Sequence, residues 1–303
     1  MRFSIFQESR KGGRKANQDR TSYAYTRDAL LMVVADGMGG HLHGEVASQI
    51  AVQLLTEAFQ REAKPTLPDP SAFLQRSILD AHSALGDYAR ARNLIESPRT
   101  TCVACAVQDS TAWWAHVGDS RLYQVREGRI HAQTRDHSRV QMLVDQGRVR
   151  EEAVAAHPDR NKIFNCIGAT TLPQVELSEP SPLREDDILM LCTDGLWGPL
   201  TGKLVAATLM RGDLMKSIPE LLRLAELRAG ADCDNLSVVA LTWEGTQRTL
   251  AGEVSTQTLA LDGVSTQLGD FSKVDHGDLS DEEIERAIQE IRDAIRKHTP
   301  QKR

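Results

Sequence analysis

Leu30-Leu31-Met32-Val33-Val34-Ala35-Asp36-Gly37 is an apolar run that stops on a carboxylate beside a glycine. Ala112-Trp113-Trp114-Ala115-His116-Val117-Gly118-Asp119 and Ile188-Leu189-Met190-Leu191-Cys192-Thr193-Asp194-Gly195 repeat the pattern. Each reads as a buried strand that delivers an Asp to a sheet edge on rigid scaffolding. The adjacent glycine lets backbone or ligand come close. Three such endings in one chain point to carboxylates converging on a cation.

Two more carboxylates border strand-like runs. Asp19 closes Arg14-Lys15-Ala16-Asn17-Gln18-Asp19, and Asp234 opens Asp234-Asn235-Leu236-Ser237. Asp19, Asp36, Asp119, Asp194 and Asp234 offer only oxygen, which suits Mg²⁺ or Mn²⁺ rather than Zn²⁺. The Gly37 carbonyl can add a neutral ligand. Two such ions about 4 Å apart lower the pKa of a shared water and align it with phosphorus. Arg14, behind Gly12-Gly13, has the guanidinium geometry that grips a phosphoryl group; alone it reads as a solvated loop arginine.

Around these motifs the chain alternates strand and helix patterns to about residue 244. Residues 44–61 and 71–91 carry helical apolar stripes, separated by a Pro-rich break. A third helical stretch lies near 218–229, between strands at 187–193 and 237–243. Strand clusters separated by helices indicate a mixed α and β domain.

The 303 residues are 41% hydrophobic and 26% charged, ordinary for a globular protein with a substantial core. A net charge of -6 argues against nucleic acid or an anionic membrane as the main partner. No stretch approaches the ~18 apolar residues that span a bilayer, and the first residues form no apolar signal core. A cytoplasmic protein is expected. Cys102 and Cys105 form a C-x-x-C that lacks a second half. Its place in a strand-like run reads as packing rather than zinc or redox chemistry.

Composition shifts after Glu244. Residues 245–279 read as a polar flexible linker, within which Val-Ser-Thr-Gln occurs at 254–257 and again at 264–267. Residues 280–303 begin with the capping box Ser280-Asp281-Glu282-Glu283 and continue as an amphipathic helix and tail. That helix either packs on the first domain or docks a partner, with the Ser/Thr-rich linker as a phosphorylation target in the second case.

The ordered set R-x-x-N-Q-D (14–19), D-G-M-G-G-H (36–41), G-D-S-R (118–121), R-D-H-S (135–138), T-D-G-L-W (193–197) and D-N-L-S (234–237) resembles the metal-dependent, type 2C serine/threonine protein phosphatases in their bacterial form. Each motif alone is weak, and six in order are specific. The resemblance covers 1–244 as a catalytic domain and none of the tail. It implies an α+β fold, a four-layer αββα sandwich of two antiparallel sheets, each covered by a helix pair.

The resemblance also implies roles. Asp36 bridges two Mn²⁺ or Mg²⁺ ions and the Gly37 carbonyl binds one. Asp194 and Asp234 hold the other, and Asp19 acts through water. Asp119 serves a weaker third ion, and Arg14 clamps substrate phosphate. Residues 139–171 form a flap over the site. Substrates are phosphoproteins, opposed by a cognate Ser/Thr kinase.

Three positions depart from the family pattern. Gln18 stands where Glu is frequent. Met38 stands where eukaryotic members carry a histidine general acid, leaving His41 for that role or as an ordinary loop histidine. Gly198 replaces the aspartate expected to accompany Asp119 at the third ion. A weak or inactive relative acting as a regulatory binding module is the alternative reading. Clustered carboxylates oppose it, since they repel one another unless a cation neutralises them.

Overall fold

A computed structural model describes residues 1–38, 43–150, 153–154, 157–245 and the backbone of 264–268. One antiparallel sheet has five strands in the order β1 (Arg2–Arg10), β11 (Leu236–Gly245), β10 (Ile188–Cys192), β6 (Arg121–Arg126), β7 (Arg129–Gln133). The other runs β12 (Val264–Leu268), β2 (Asp19–Tyr25), β3 (Ala29–Asp36), β4 (Cys102–Gln108), β5 (Thr111–Val117), β8 (Glu176–Leu177), with β9 (Ser181–Pro182) also on β5. Helices α1 (Gly44–Glu62) and α2 (Pro70–Ala91) cover the second sheet. The first is covered by α5 (Gly202–Leu209) and α6 (Leu214–Ala229). The architecture is the expected four-layer αββα sandwich.

Sandwiching explains why the central strands look uniformly apolar. Successive strand residues point to opposite faces. Leu30, Met32 and Val34 enter the core between the sheets, where Val103, Leu189, Leu191, Val239 and Leu241 meet them. Leu31, Val33 and Ala35 face α1 and α2. Burying one such side chain contributes roughly 1.5–3 kcal/mol, so both faces hold the strand in register. Parity also settles the C-x-x-C. Cys102 faces the helices and Cys105 faces the other sheet, so the two thiols cannot share an ion or a disulfide. Burial pushes the Cys102 thiol up to about 12.

Helix boundaries follow local chemistry. Asp69 caps α2 by accepting from the Ala72 amide at 3.0 Å, and Pro70 occupies the first turn. Asp213 caps α6 through the Lys216 amide at 3.0 Å, so that helix starts before Ile218, where the apolar pattern begins. The segment read as a flap opens with the short helix α3 (Arg139–Asp145), capped by Ser138.

Residues 264–268, read from the sequence as linker, instead form β12. They pair antiparallel with β2 from Val264 opposite Tyr25 to Leu268 opposite Thr21. The amphipathic segment 280–303 lies outside the described residues.

Candidate metal centre

Five segments bring the carboxylates to one end of the sandwich. Asp19 starts β2 and Asp36 ends β3, and they are direct cross-strand partners. Asp194 opens the short helix α4 (Asp194–Trp197) just beyond β10. Asp234 lies in the loop entering β11. Asp119 sits beyond the end of β5, so its strand stops at Val117 rather than running to the carboxylate.

Backbone and hydroxyl groups hold this frame. The Asp36 amide donates to Thr101 Oγ1 at 3.0 Å. Its carbonyl accepts from the Thr101 amide at 2.9 Å and Thr100 Oγ1 at 2.7 Å. Thr193 Oγ1 donates to Asp19 Oδ2 at 2.8 Å and accepts from the Ser237 amide at 3.0 Å. Asn235 ties the Arg14 loop to the site. Its Oδ1 accepts from the Gln18 amide at 2.9 Å, and its Nδ2 donates to the Lys11 and Ala16 carbonyls at 2.8 and 3.0 Å.

Electrostatics show a site short of positive charge. Burial, reinforced by Asp194 and Asp234, pushes the Asp19 carboxyl up to about 7 against the opposing Ser237 and Thr193 hydrogen bonds. Burial and the Asp234 charge push Asp194 up to about 6. Asp36 lies well above its ordinary value through burial and then repulsion from Asp19 and Asp194. Asp119 is raised by burial and by Asp194. Two buried oxygens, Asp19 Oδ1 and Asp194 Oδ1, have no hydrogen-bond partner. An orphaned carboxylate oxygen in such a cluster is costly unless a cation takes it. The residues therefore fit hard divalent ions.

Gly37 is dictated by packing. A Cβ there would lie 2.2 Å from the Gly44 carbonyl oxygen and 2.6 Å from that of Gln18. Gly12 and Gly13 likewise press the Arg14 loop against the Asp234 loop. Their Cβ atoms would fall 2.2 Å from the Asp234 carbonyl oxygen and 2.3 Å from that of Ala231. The glycines thus bring backbone to backbone.

Arg14 reaches the cluster, its guanidinium donating to Asp234 Oδ2 at 2.5 Å. Gln18 turns its side-chain amide to Glu45 of α1 at 3.1 Å, which places a carboxylate near the position where the family often has Glu. His41 lies outside the described residues.

The sequence motifs left one connection unread. Arg121 of G-D-S-R forks onto Asp136 of R-D-H-S at 2.8 and 2.7 Å and stacks 3.5 Å over the Trp197 ring. Trp197 Nε1 in turn donates to the Asp119 carbonyl at 2.9 Å. Three motifs are therefore one buried brace behind Asp119. The signal was present in the motif set, but pairing between segments is invisible in one dimension.

His116, His137 and Glu176 also cluster, with ligand-capable atoms within 4.8 Å of one another. Hydrogen bonding argues against an ion there. His137 Nδ1 faces two donors, the Gly118 amide at 3.1 Å and Asn165 Nδ2 at 2.8 Å. It must accept, so Nε2 carries the proton and donates to Glu176 at 3.2 Å. The stack, rings 4.6 Å apart, and the Glu176 contact fasten His137, just before α3, to β5 and β8.

A buried carboxylate cluster at one end of an αββα sandwich has the donor chemistry of a hard-cation site. The family model described as Protein phosphatase 2C matches residues 7–223, and the chain belongs to that family. The serine/threonine protein phosphatase PstP of Mycobacterium tuberculosis is 33% identical over 253 residues, 82% of this chain and 47% of that protein. The chain thus spans about half the length of that relative. The solved Streptococcus agalactiae serine/threonine phosphatase superposes with a TM-score of 0.71 at 30% identity, covering 80% of this chain and 100% of the other. A PstP catalytic domain in complex with two manganese ions gives 0.66 at 30% identity, covering 79% and 97%.

Proposed function

We propose that this chain is a metal-dependent phosphatase that hydrolyses phosphoserine and phosphothreonine in proteins. The observation that carries the reading is the pair of unpartnered oxygens, Asp19 Oδ1 and Asp194 Oδ1, inside a cluster of raised carboxylates. Family membership supplies the reaction class, and a relative's catalytic domain with two manganese ions supports a two-ion centre.

Asp36 and the Gly37 carbonyl beside it would help to hold the Mn²⁺ or Mg²⁺ ions, with Asp36 placed to serve both. Asp194 and Asp234 would hold one of them, and Asp19 would contribute through water. When bound, the ions supply an activated water and neutralise charge on the phosphoryl oxygens. Arg14 exchanges its contact with Asp234 for the substrate phosphate, where a guanidinium fork stabilises developing charge. His41 or solvent protonates the leaving alkoxide. Asp119 would be left to hold a weaker third ion alone, since Gly198 supplies no companion carboxylate.

The substrates in this reading are phosphoproteins of a cytoplasmic Ser/Thr kinase pathway. Among the described residues no helix is long and apolar enough to cross a membrane. Hydrolysis of p-nitrophenyl phosphate with and without Mn²⁺ tests the proposal. Turnover that appears only with metal is expected, and absence of turnover with metal shown to bind by calorimetry overturns it.

A further inference from the structure

Ser9, near the end of β1, lies outside every sequence motif and outside the carboxylate cluster, yet hydrogen bonds connect it to Asp19. It is the direct cross-strand partner of Ser237, and the two hydroxyls lie 2.7 Å apart. Ser9 also accepts from Asn17 Nδ2 at 2.8 Å, and Asn17 Oδ1 accepts from the Asp19 amide at 3.1 Å. We propose that Ser9 is a positioning residue for the metal centre, closing a ring of hydrogen bonds through Asn17 and Ser237 that fixes which oxygen of Asp19 is offered to a divalent ion and its water shell. The proposal rests on the cation reading of the cluster.

Each hydrogen in the ring has one place to go. The Asn17 side chain takes the Asp19 N–H on its oxygen, so its nitrogen faces Ser9 and donates. An ionised Asp19 only accepts, so the Ser237 hydroxyl that bonds it directs its single hydrogen there. Ser9 is then the donor across the 2.7 Å to Ser237 Oγ. The bonds run in one sense, from the Asp19 amide to Asn17, on to Ser9 and Ser237, and back to the Asp19 carboxylate. Bonds chained head to tail polarise one another, which strengthens the last of them.

Strand parity puts Ser9 there. Phe3 and Ile5 of β1, with Val239 and Leu241 of β11, pack on the core between the sheets. Ser9 and Ser237 continue the same alternation to the end of the paired strands, where hydroxyls replace the apolar side chains. Ser237 and Thr193 are fully buried, and Thr193 Oγ1 donates to Asp19 Oδ2 at 2.8 Å. Burial raises the Asp19 carboxyl, and the Ser237 hydroxyl, ahead of Thr193, opposes the rise. Asp19 Oδ1 is buried and has no partner. The hydroxyls thus hold the carboxylate and leave Oδ1 for a cation.

Removing the Ser9 hydroxyl opens the ring without touching a carboxylate. Ser237 loses its donor and its bond to Asp19 weakens. Groups behind a metal ligand typically account for 10–100-fold in affinity, and Ser9 stands one step further back, so a loss of about five-fold is expected. A hydroxyl that only finished the strand would lower the melting temperature and leave ion affinity unchanged.

Calorimetric titration of the full chain with Mn²⁺ tests this, with a thermal melt of each metal-free variant as the control for folding. Ser9→Ala should raise the apparent Mn²⁺ dissociation constant by at least about three-fold. Asn17→Ala opens the same ring at another point and should do the same. In an Asp19→Asn background Ser9→Ala should add less than about two-fold, because the ring acts through that carboxylate. Folded Ser9→Ala and Asn17→Ala proteins that bind Mn²⁺ as the parent does overturn the proposal. So does a loss in Ser9→Ala that persists undiminished in Asp19→Asn. A parent that binds no Mn²⁺ overturns the cation reading itself, and this proposal with it.

Discussion

Asp19 and Asp36 face each other directly across the β2–β3 pair, two carboxylates in register at the end of a twisted sheet. Like charges in opposed positions destabilise a sheet. Here Asp194 and Asp234 add to the repulsion. The arrangement makes sense as a cation site whose protein part is strained until the ions bind.

Asp36→Asn should therefore separate activity from stability. With Asp36 bridging, turnover falls by at least about 100-fold at saturating Mn²⁺. The metal-free variant should melt no lower than the parent, because one repelling charge is gone. Paired thermal melts with and without Mn²⁺ check this, the variant losing most of the metal-induced rise.

The raised carboxylates also fix a sign for pH. The Asp19 carboxyl titrates at about 7 in the fold against an ordinary 3.8, so the native state binds more protons between those values. Stability of the metal-free protein should then fall as pH rises through that window, with the whole penalty present above about 7. Chelated protein should melt higher at about pH 5.5 than at about pH 7.5. Saturating Mn²⁺ should reverse the order, since ions and protons compete for the same oxygens. Asp19→Asn should flatten the metal-free dependence.

Arg14→Ala should mainly weaken phosphopeptide binding. The side chain is half exposed and donates to Asp234, leaving it free to turn to a phosphate. KM for a phosphopeptide should rise roughly ten-fold with a smaller change in kcat. Steady-state kinetics decide it, and unchanged KM and kcat together remove Arg14 from the site.

The Arg121–Asp136 brace predicts a large structural effect. Asp136 is buried and Arg121 nearly so, and two short bonds join them. Arg121→Met should cost about 3–5 kcal/mol by denaturant unfolding, because it strands a buried carboxylate. Replacing Asp136 by Leu in the same protein should recover much of that loss.

Much of the fold was legible because burial on both faces makes central strands continuously apolar, and the helices that cover them keep a 3.6-residue stripe. Leu30–Asp36 and Ile188–Cys192 are such strands, and Gly44–Glu62 is such a helix. The candidate ligands were legible because Asp beside Gly at a strand end leaves a local mark. The role of Cys102 and Cys105 was also readable, since three residues on a strand put them on opposite faces.

Only tertiary structure decided which segments meet. Nothing local says that Arg121 forks onto Asp136, that Thr193 holds Asp19, or that Asn235 clamps the loop of Arg14. These contacts join residues 15 to 219 positions apart, and a hydrogen bond is set by distance in space rather than along the chain. β12 is the sharpest case. Val264–Leu268 has a polar composition that resembles linker, and it becomes a strand because β2 offers unpaired backbone at its edge.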